Sequence, residues 1–125
     1  MNIESFRKGF LSECVERPWG WYASTFEMDG FKTMVFVVKP QHRLSLQSHA
    51  HRTEMWSVIS GSGVCTIEDN VFEVTKGSFV AIQLGAKHRI ENPSQYDDLV
   101  ISEVQVGDVL TEDDIVRYND DYGRN

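Results

Sequence analysis

Cysteine is scarce in this chain. Only Cys14 and Cys65 occur in 125 residues, and neither stands at metal-ligand spacing from another cysteine. That excludes a disulfide scaffold and a thiolate zinc site, and leaves two buried or free thiols suited to a reducing cytoplasm. Long apolar runs are also missing. Nothing approaches the roughly 20 residues of a bilayer-spanning helix, and the first residues lack a signal peptide's apolar centre, so the expectation is a cytoplasmic protein with no membrane partner. Basic residues are outnumbered, 12 against 19 acidic, giving a net charge of −7. A surface of that sign disfavours nucleic acid as a partner. Sustained helical periodicity is absent as well.

What is present fits one small domain. At 125 residues and 41% hydrophobic content the chain can close one core but not two. The expected organisation is a single domain, 1–125, with an arm over 1–15, a barrel over 16–110, and a helix and tail over 111–125. Phe6, Phe10 and Leu11 are spaced for a short helix or a packed arm. Arg17-Pro18-Trp19-Gly20-Trp21-Tyr22 reads as a turn beside three large aromatics, a lid over the core. A strand over 24–28, the Asp29-Gly30 hairpin signal and the apolar, β-branched run Phe31 to Val38 follow, the last fitting a strand covered on both faces. Further strands are expected over 55–60, 64–68, 71–75, 78–84 and 99–106, with turns at Gly61-Ser62-Gly63, Asp69-Asn70 and Asn92-Pro93-Ser94. Thr111 before Glu112-Asp113-Asp114 is a helix start: a capping hydroxyl and three carboxylates where the helix dipole favours them. The expected fold class is all-β, a closed or two-sheet jelly-roll barrel with a short C-terminal helix.

The chemistry concentrates between Leu44 and Trp56. At a strand's period of two, Ser45, Gln47, His49 and His51 share a face, and Glu54 follows after a short break. Imidazole, amide and carboxylate donors converging in this way suit a divalent first-row metal. His88 is the other histidine placed to join them. Four cations, Arg43, Arg52, Lys87 and Arg89, bracket these donors in an otherwise acidic chain, which points to an anionic small molecule or, more plainly, to surface charges beside a strand.

The spacings also run together in a fixed order. Gln47-x-His49, four residues, Glu54, six residues, Gly61 forms one part; Gly77, five residues, Gln83-Leu84-Gly85, two residues, His88, three residues, Asn92 forms the other. This resembles the two-part signature of the cupin superfamily, with Gln47 where a first histidine usually stands and Gln41 and Gln83 in place of a glycine and a proline. Arg17-Pro18-Trp19-Gly20, Leu44-Ser45-Leu46-Gln47, His51-Arg52-x-Glu54-x-Trp56, His88 to Pro93, Glu103-Val104-Gln105-x-Gly107, Glu112 to Arg117 and Asp121-Tyr122-Gly123-Arg124 narrow the likeness. Together they resemble the type II mannose-6-phosphate isomerase family. Its cupin often forms the C-terminal half of a bifunctional enzyme that also makes GDP-mannose; this chain looks like a free-standing version.

The resemblance implies a cupin barrel and interconversion of mannose 6-phosphate and fructose 6-phosphate through an enediolate. It implies one divalent ion, zinc ahead of Mn, Fe, Ni or Co, on Gln47, His49, Glu54 and His88, and a homodimer, as is common for cupins of this size. His51 is then either the base or a support for a ligand, and Arg89 the second catalytic candidate. Arg52, Arg89 and Lys32 are the first candidates for the phosphate, with Arg43, Lys87 and Arg117 behind them. Trp56 either walls the pocket or belongs to the core. Two departures bear on the reaction: Met34 and Val35 stand where the family has a basic pair, and Met55 where it has histidine. The alternatives are a non-catalytic metal-containing sugar-binding module, or a cupin that isomerises or epimerises a different sugar or nucleotide sugar.

Overall fold

Turn chemistry divides the described residues into twelve short strands. The computed structural model describes residues 13–124, so most of the expected N-terminal arm, including Phe6, Phe10 and Leu11, lies outside the described residues. In chain order the strands are β1 (Val15–Arg17), β2 (Gly20–Met28), β3 (Phe31–Val38), β4 (His42–Arg43), β5 (Leu46–Ser48) and β6 (Arg52–Ser60). They continue as β7 (Ser62–Ile67), β8 (Asn70–Thr75), β9 (Phe79–Ile82), β10 (His88–Asn92), β11 (Leu99–Gly107) and β12 (Val116–Asn119). One antiparallel sheet runs β1-β2-β3-β11-β6-β9 and the other β12-β5-β10-β7-β8, with β4 added beside β10. No helix occurs among the described residues. The fold is the expected all-β jelly roll.

Local sequence explains the joints. Asp29-Gly30 closes a two-residue hairpin in which Met28 pairs with Phe31, and Gly30 takes the φ of 77° that such a turn demands. Asn92 stabilises the turn at Pro93 by accepting the Ser94 N–H while its amide donates to Val38 O and Asp97 O. The supposed lid at 17–22 is instead the β1/β2 hairpin, Arg17 pairing with Gly20. Gly20 is required there because a Cβ would run into the Val37 carbonyl oxygen.

Strand β3 is covered on both faces, as its apolar run predicts. Phe36 and Val38 face the space between the sheets with Trp19, Trp56, Val58, Cys65, Ile90, Leu99 and Ile101; Val35 and Val37 join Trp21, Ala23 and Val100 on the other side. Burial pushes the Cys65 thiol up to about 12, which makes it an inert packing group.

The inner face changes character along the strands, and that change positions the site. Ile101 lies across from Phe36 and Val58, an apolar row; two residues on, Glu103 lies across from Met34 and Trp56, and then Gln105 from Lys32 and Glu54. One end of the barrel is therefore a dry core, and the other a set of buried polar side chains.

The expected C-terminal helix does not form. Residues 111–114 make a turn and the chain then extends into β12. Asp114, which a helix would point to solvent, is bonded to the loop after β5: its carboxylate accepts from Ala50 N–H (2.9 Å) and His51 N–H (3.0 Å), and its carbonyl from His49 Nδ1 (2.6 Å). These tertiary bonds override the local capping signal.

Candidate metal centre and substrate pocket

Strand β5 ends at Ser48, so the alternation of its side chains stops before the histidines. His49 turns inward and is buried, whereas His51 is exposed. The shared face read from a period of two holds for Ser45, Gln47 and His49 but not for His51. His88 opens β10 directly beside Gln47, and Glu54 comes from the second turn of the pleat in β6 on the facing sheet. The donors of His49, Glu54 and His88 all lie within 4.8 Å of one another.

Hydrogen bonds fix how these rings present themselves. His49 Nδ1 donates to Asp114 O and His88 Nδ1 to Ala86 O (2.9 Å), so each ring's Nε2 is left toward Glu54. His49 Nε2 is 3.3 Å from one Glu54 oxygen and His88 Nε2 is 3.4 Å from the other. Either a second proton or a cation must sit between each nitrogen and the carboxylate. Burial lowers the His49 pKa, which disfavours the second proton there. Burial works against the Glu54 carboxylate too, but the hydrogen bond from His88 and the charges of His88, His49 and Arg52 hold its pKa well below the ordinary carboxylate range. Two Nε2 atoms and an ionised carboxylate, all nearly inaccessible to water, fit a divalent metal ion. Gln47 donates its amide nitrogen to Ser45 Oγ (3.2 Å), so any ligation from it must come from its oxygen.

Arg52 braces this cluster. It is 4% exposed and donates Nε to Glu54 (2.9 Å) and Nη1 to Thr111 O (3.1 Å), with Nη2 3.4 Å from His49 Nε2. Behind it, Glu103 accepts from Trp56 Nε1 (2.6 Å) and Gln105 Nε2 (2.8 Å). Burial raises the Glu103 pKa well above the usual carboxylate value, and the Glu54 charge adds to the shift.

The cluster opens on a cavity of about 570 Å³, mouth included, walled by Trp19, Tyr22, Phe36, Leu44 and Trp56. Its rim carries Arg17 from β1, Glu112 from the turn, Arg117 from β12 and Arg124 beyond it. Among the expected substrate residues, Arg52, Trp56 and Arg117 line this cavity.

The others lie elsewhere. Lys32 is buried in the same cross-strand row as Gln105 but does not line the cavity. Arg43 makes a two-pronged pair with Asp121 (2.7 and 2.9 Å), and Lys87 sits over the Tyr118 ring. Arg89, one residue from His88 and on the opposite face of β10, donates to Leu44 O and to Asn119. These cations hold the C-terminal segment in place. His51 likewise engages through its main chain, its N–H donating to Asp114 and its carbonyl accepting from Asp108 N–H (3.2 Å). Sequence reasoning assigned no role to Glu103, Gln105, Arg17 or Arg124. A signal existed for the first two: they continue the face of Leu99 and Ile101, and polar residues prolonging an apolar face mark the edge of a cavity.

A family model described as "Mannose-6-phosphate isomerase C-terminal" matches residues 8–120. The chain belongs to that family. Xanthan biosynthesis protein XanB of Xanthomonas campestris pv. campestris is 46% identical over 110 residues, 88% of this chain and 23% of that protein. A mannose-1-phosphate guanylyltransferase of Salmonella montevideo is 41% identical over 125 residues, all of this chain and 26% of the relative. The chain thus spans about a quarter of the length of these relatives. Its fold matches the Schizosaccharomyces pombe Cnp3 cupin domain with a TM-score of 0.71 at 14% identity, covering 78% of this chain and 70% of that one. The architecture of this family member is therefore that of a cupin.

Proposed function

We propose that this protein is a metal-dependent aldose–ketose isomerase that interconverts mannose 6-phosphate and fructose 6-phosphate. The observation that carries this reading is the buried His49–Glu54–His88 cluster opening on an aromatic-walled cavity with a cationic rim. Gln47, beside His88, supplies the fourth donor, and Glu54 is then the single anionic ligand. A divalent ion held there supplies a Lewis acid beside the negative charge that builds on the sugar oxygens during enolisation.

The remaining work falls to side chains of this chain. The isomerisation takes a proton from C2 and returns one to C1 while the carbonyl moves the other way, so a group in the cavity must carry a proton. Glu103 is the buried cavity carboxyl outside the proposed ligand set, and we assign it that role in place of His51 and Arg89. Arg52 orients Glu54 through its Nε–H. Trp56, Tyr22 and Phe36 shed water from the reacting carbons. The same reading takes the protein to be a cytoplasmic homodimer with this site in each chain.

A non-catalytic sugar-binding module is the second reading, and Met34 favours it: it lines the cavity where a basic residue is expected, and its sulfur accepts from Gln105 Nε2 (3.1 Å). Purified metal-loaded protein, assayed for conversion of mannose 6-phosphate in a coupled reaction, separates the two. Turnover abolished by chelation and restored by a divalent ion supports the isomerase. About one bound ion per chain with saturable sugar binding and no turnover supports the module.

A further inference from the structure

Among the described residues, two buried side-chain atoms have no hydrogen-bond partner in the protein: Gln105 Oε1 and Arg117 Nε. An unpartnered buried polar atom costs roughly 1–3 kcal/mol, so such atoms mark places where something else completes the bonding. Both residues line the cavity already described, and they come from opposite walls. Gln105 is on β11, across from Glu54, and is 1% exposed. Its amide nitrogen is committed to Glu103 and Met34, which fixes the orphan as the carbonyl oxygen. Arg117 is on β12, across from Gln47.

The two atoms have opposite polarity. Arg117 can only donate, and it carries a charge; Gln105 Oε1 can only accept. A single occupant that satisfies both must present an acceptor, best an anionic one, toward β12 and a hydroxyl donor toward β11. A phosphorylated sugar has that polarity. The other rim cations are already engaged: Arg17 donates to Tyr22 Oη (3.2 Å), and Arg124 is bonded twice by Asp120 (2.8 and 3.0 Å). Arg52, one of the three cations favoured by the sequence, is committed to Glu54 and Thr111.

We propose that the pocket holds its ligand in one direction, with the phosphate on Arg117 of the C-terminal segment and a sugar hydroxyl donating to Gln105 Oε1. The identity of the sugar rests on the isomerase reading; the direction of binding does not.

Calorimetric titration of the metal-loaded full chain tests this, with inorganic phosphate, mannose and mannose 6-phosphate as probes. Arg117→Met is expected to weaken inorganic phosphate and mannose 6-phosphate by about 10–100-fold, the worth of a charged hydrogen bond, and to leave mannose unchanged. Arg117→Lys should restore part of the loss, and removal of an exposed charge by Lys76→Met should do nothing. Gln105→Met is expected to weaken mannose and mannose 6-phosphate while sparing inorganic phosphate. Unchanged phosphate affinity in Arg117→Met, or equal losses for all three probes in both variants, overturns the proposal. If the split appears without turnover by the wild type, the isomerase reading falls and the direction stands. If turnover is present and the split is absent, the reverse holds.

Discussion

The floor of the cavity and its rim are built in different ways. At the floor, His49, Glu54 and His88 are 2–4% exposed, and each is bonded to a neighbour that leaves it little freedom: Asp114 O, Arg52 and Ala86 O. At the rim, Arg17, Arg117 and Arg124 come from both ends of the chain, and they are exposed or half-buried. The floor is rigid and suits a metal, whose ligand geometry tolerates little error. The rim is tethered by surface pairs such as Arg43 with Asp121, each worth at most about 1 kcal/mol, and suits a ligand that must come and go.

The largest effects should follow from breaking the floor. Glu54→Gln or His88→Ala is expected to lower metal affinity by more than about 100-fold, since loss of an outer partner alone costs 10–100-fold, and to abolish turnover; metal analysis after dialysis checks it. Glu103→Gln comes next. Turnover should fall by roughly 10²–10⁴-fold, the usual worth of a proton-carrying group, while the metal content of the purified variant stays at the wild-type level.

Asp114 joins the two regions, and its substitution sharpens the comparison. Although desolvation opposes it, the N–H groups of Ala50 and His51 hold the Asp114 carboxyl below its ordinary pKa. Asp114→Ala frees the loop that carries His49, and metal affinity should fall about 10–100-fold without a change in the ligand set.

A rim pair gives a smaller, pH-dependent effect. The hydrogen bond from Arg124 lowers the Asp120 pKa from 3.8 to about 2. A carboxyl with a depressed native pKa contributes stability that is whole above pH 3.8 and is lost as pH falls through about 2. The Tm of Asp120→Asn should therefore lie below wild type at neutral pH, and the gap should close on acidification through that window. The smallest effect belongs to His51→Gln. The ring is exposed and outside the cavity, so metal content and kcat should stay within about twofold of wild type.

The same division explains what could be read from the sequence. Strand alternation and turn residues predict β3, the Asp29-Gly30 hairpin and the strand β11, because those depend on neighbours in the chain. The spacing of the candidate metal donors is visible for the same reason: His49 and Glu54 flank one short loop, and His88 starts a strand after a turn with Gly85. His51 was misplaced because the period of two was carried past Ser48, where the strand ends. Thr111 gives a sound helix cap, but the bonds from Asp114 to residues 49–51 are not encoded locally. The rim was the least legible part. Arg17 and Arg124 are 107 positions apart, and only closure of the sandwich brings them to one opening.

The pairing of β12 with β5 has a consequence for how such a protein diversifies. From residues 115–124, Ile115, Arg117 and Arg124 line the cavity, so in the proposed function exchanging Arg117 or Arg124 offers a route to new substrates that leaves His49, Glu54 and His88 intact. That freedom stops at Asp114, whose bonds hold the loop of His49 to His51; in the same reading, a change there becomes a change in metal.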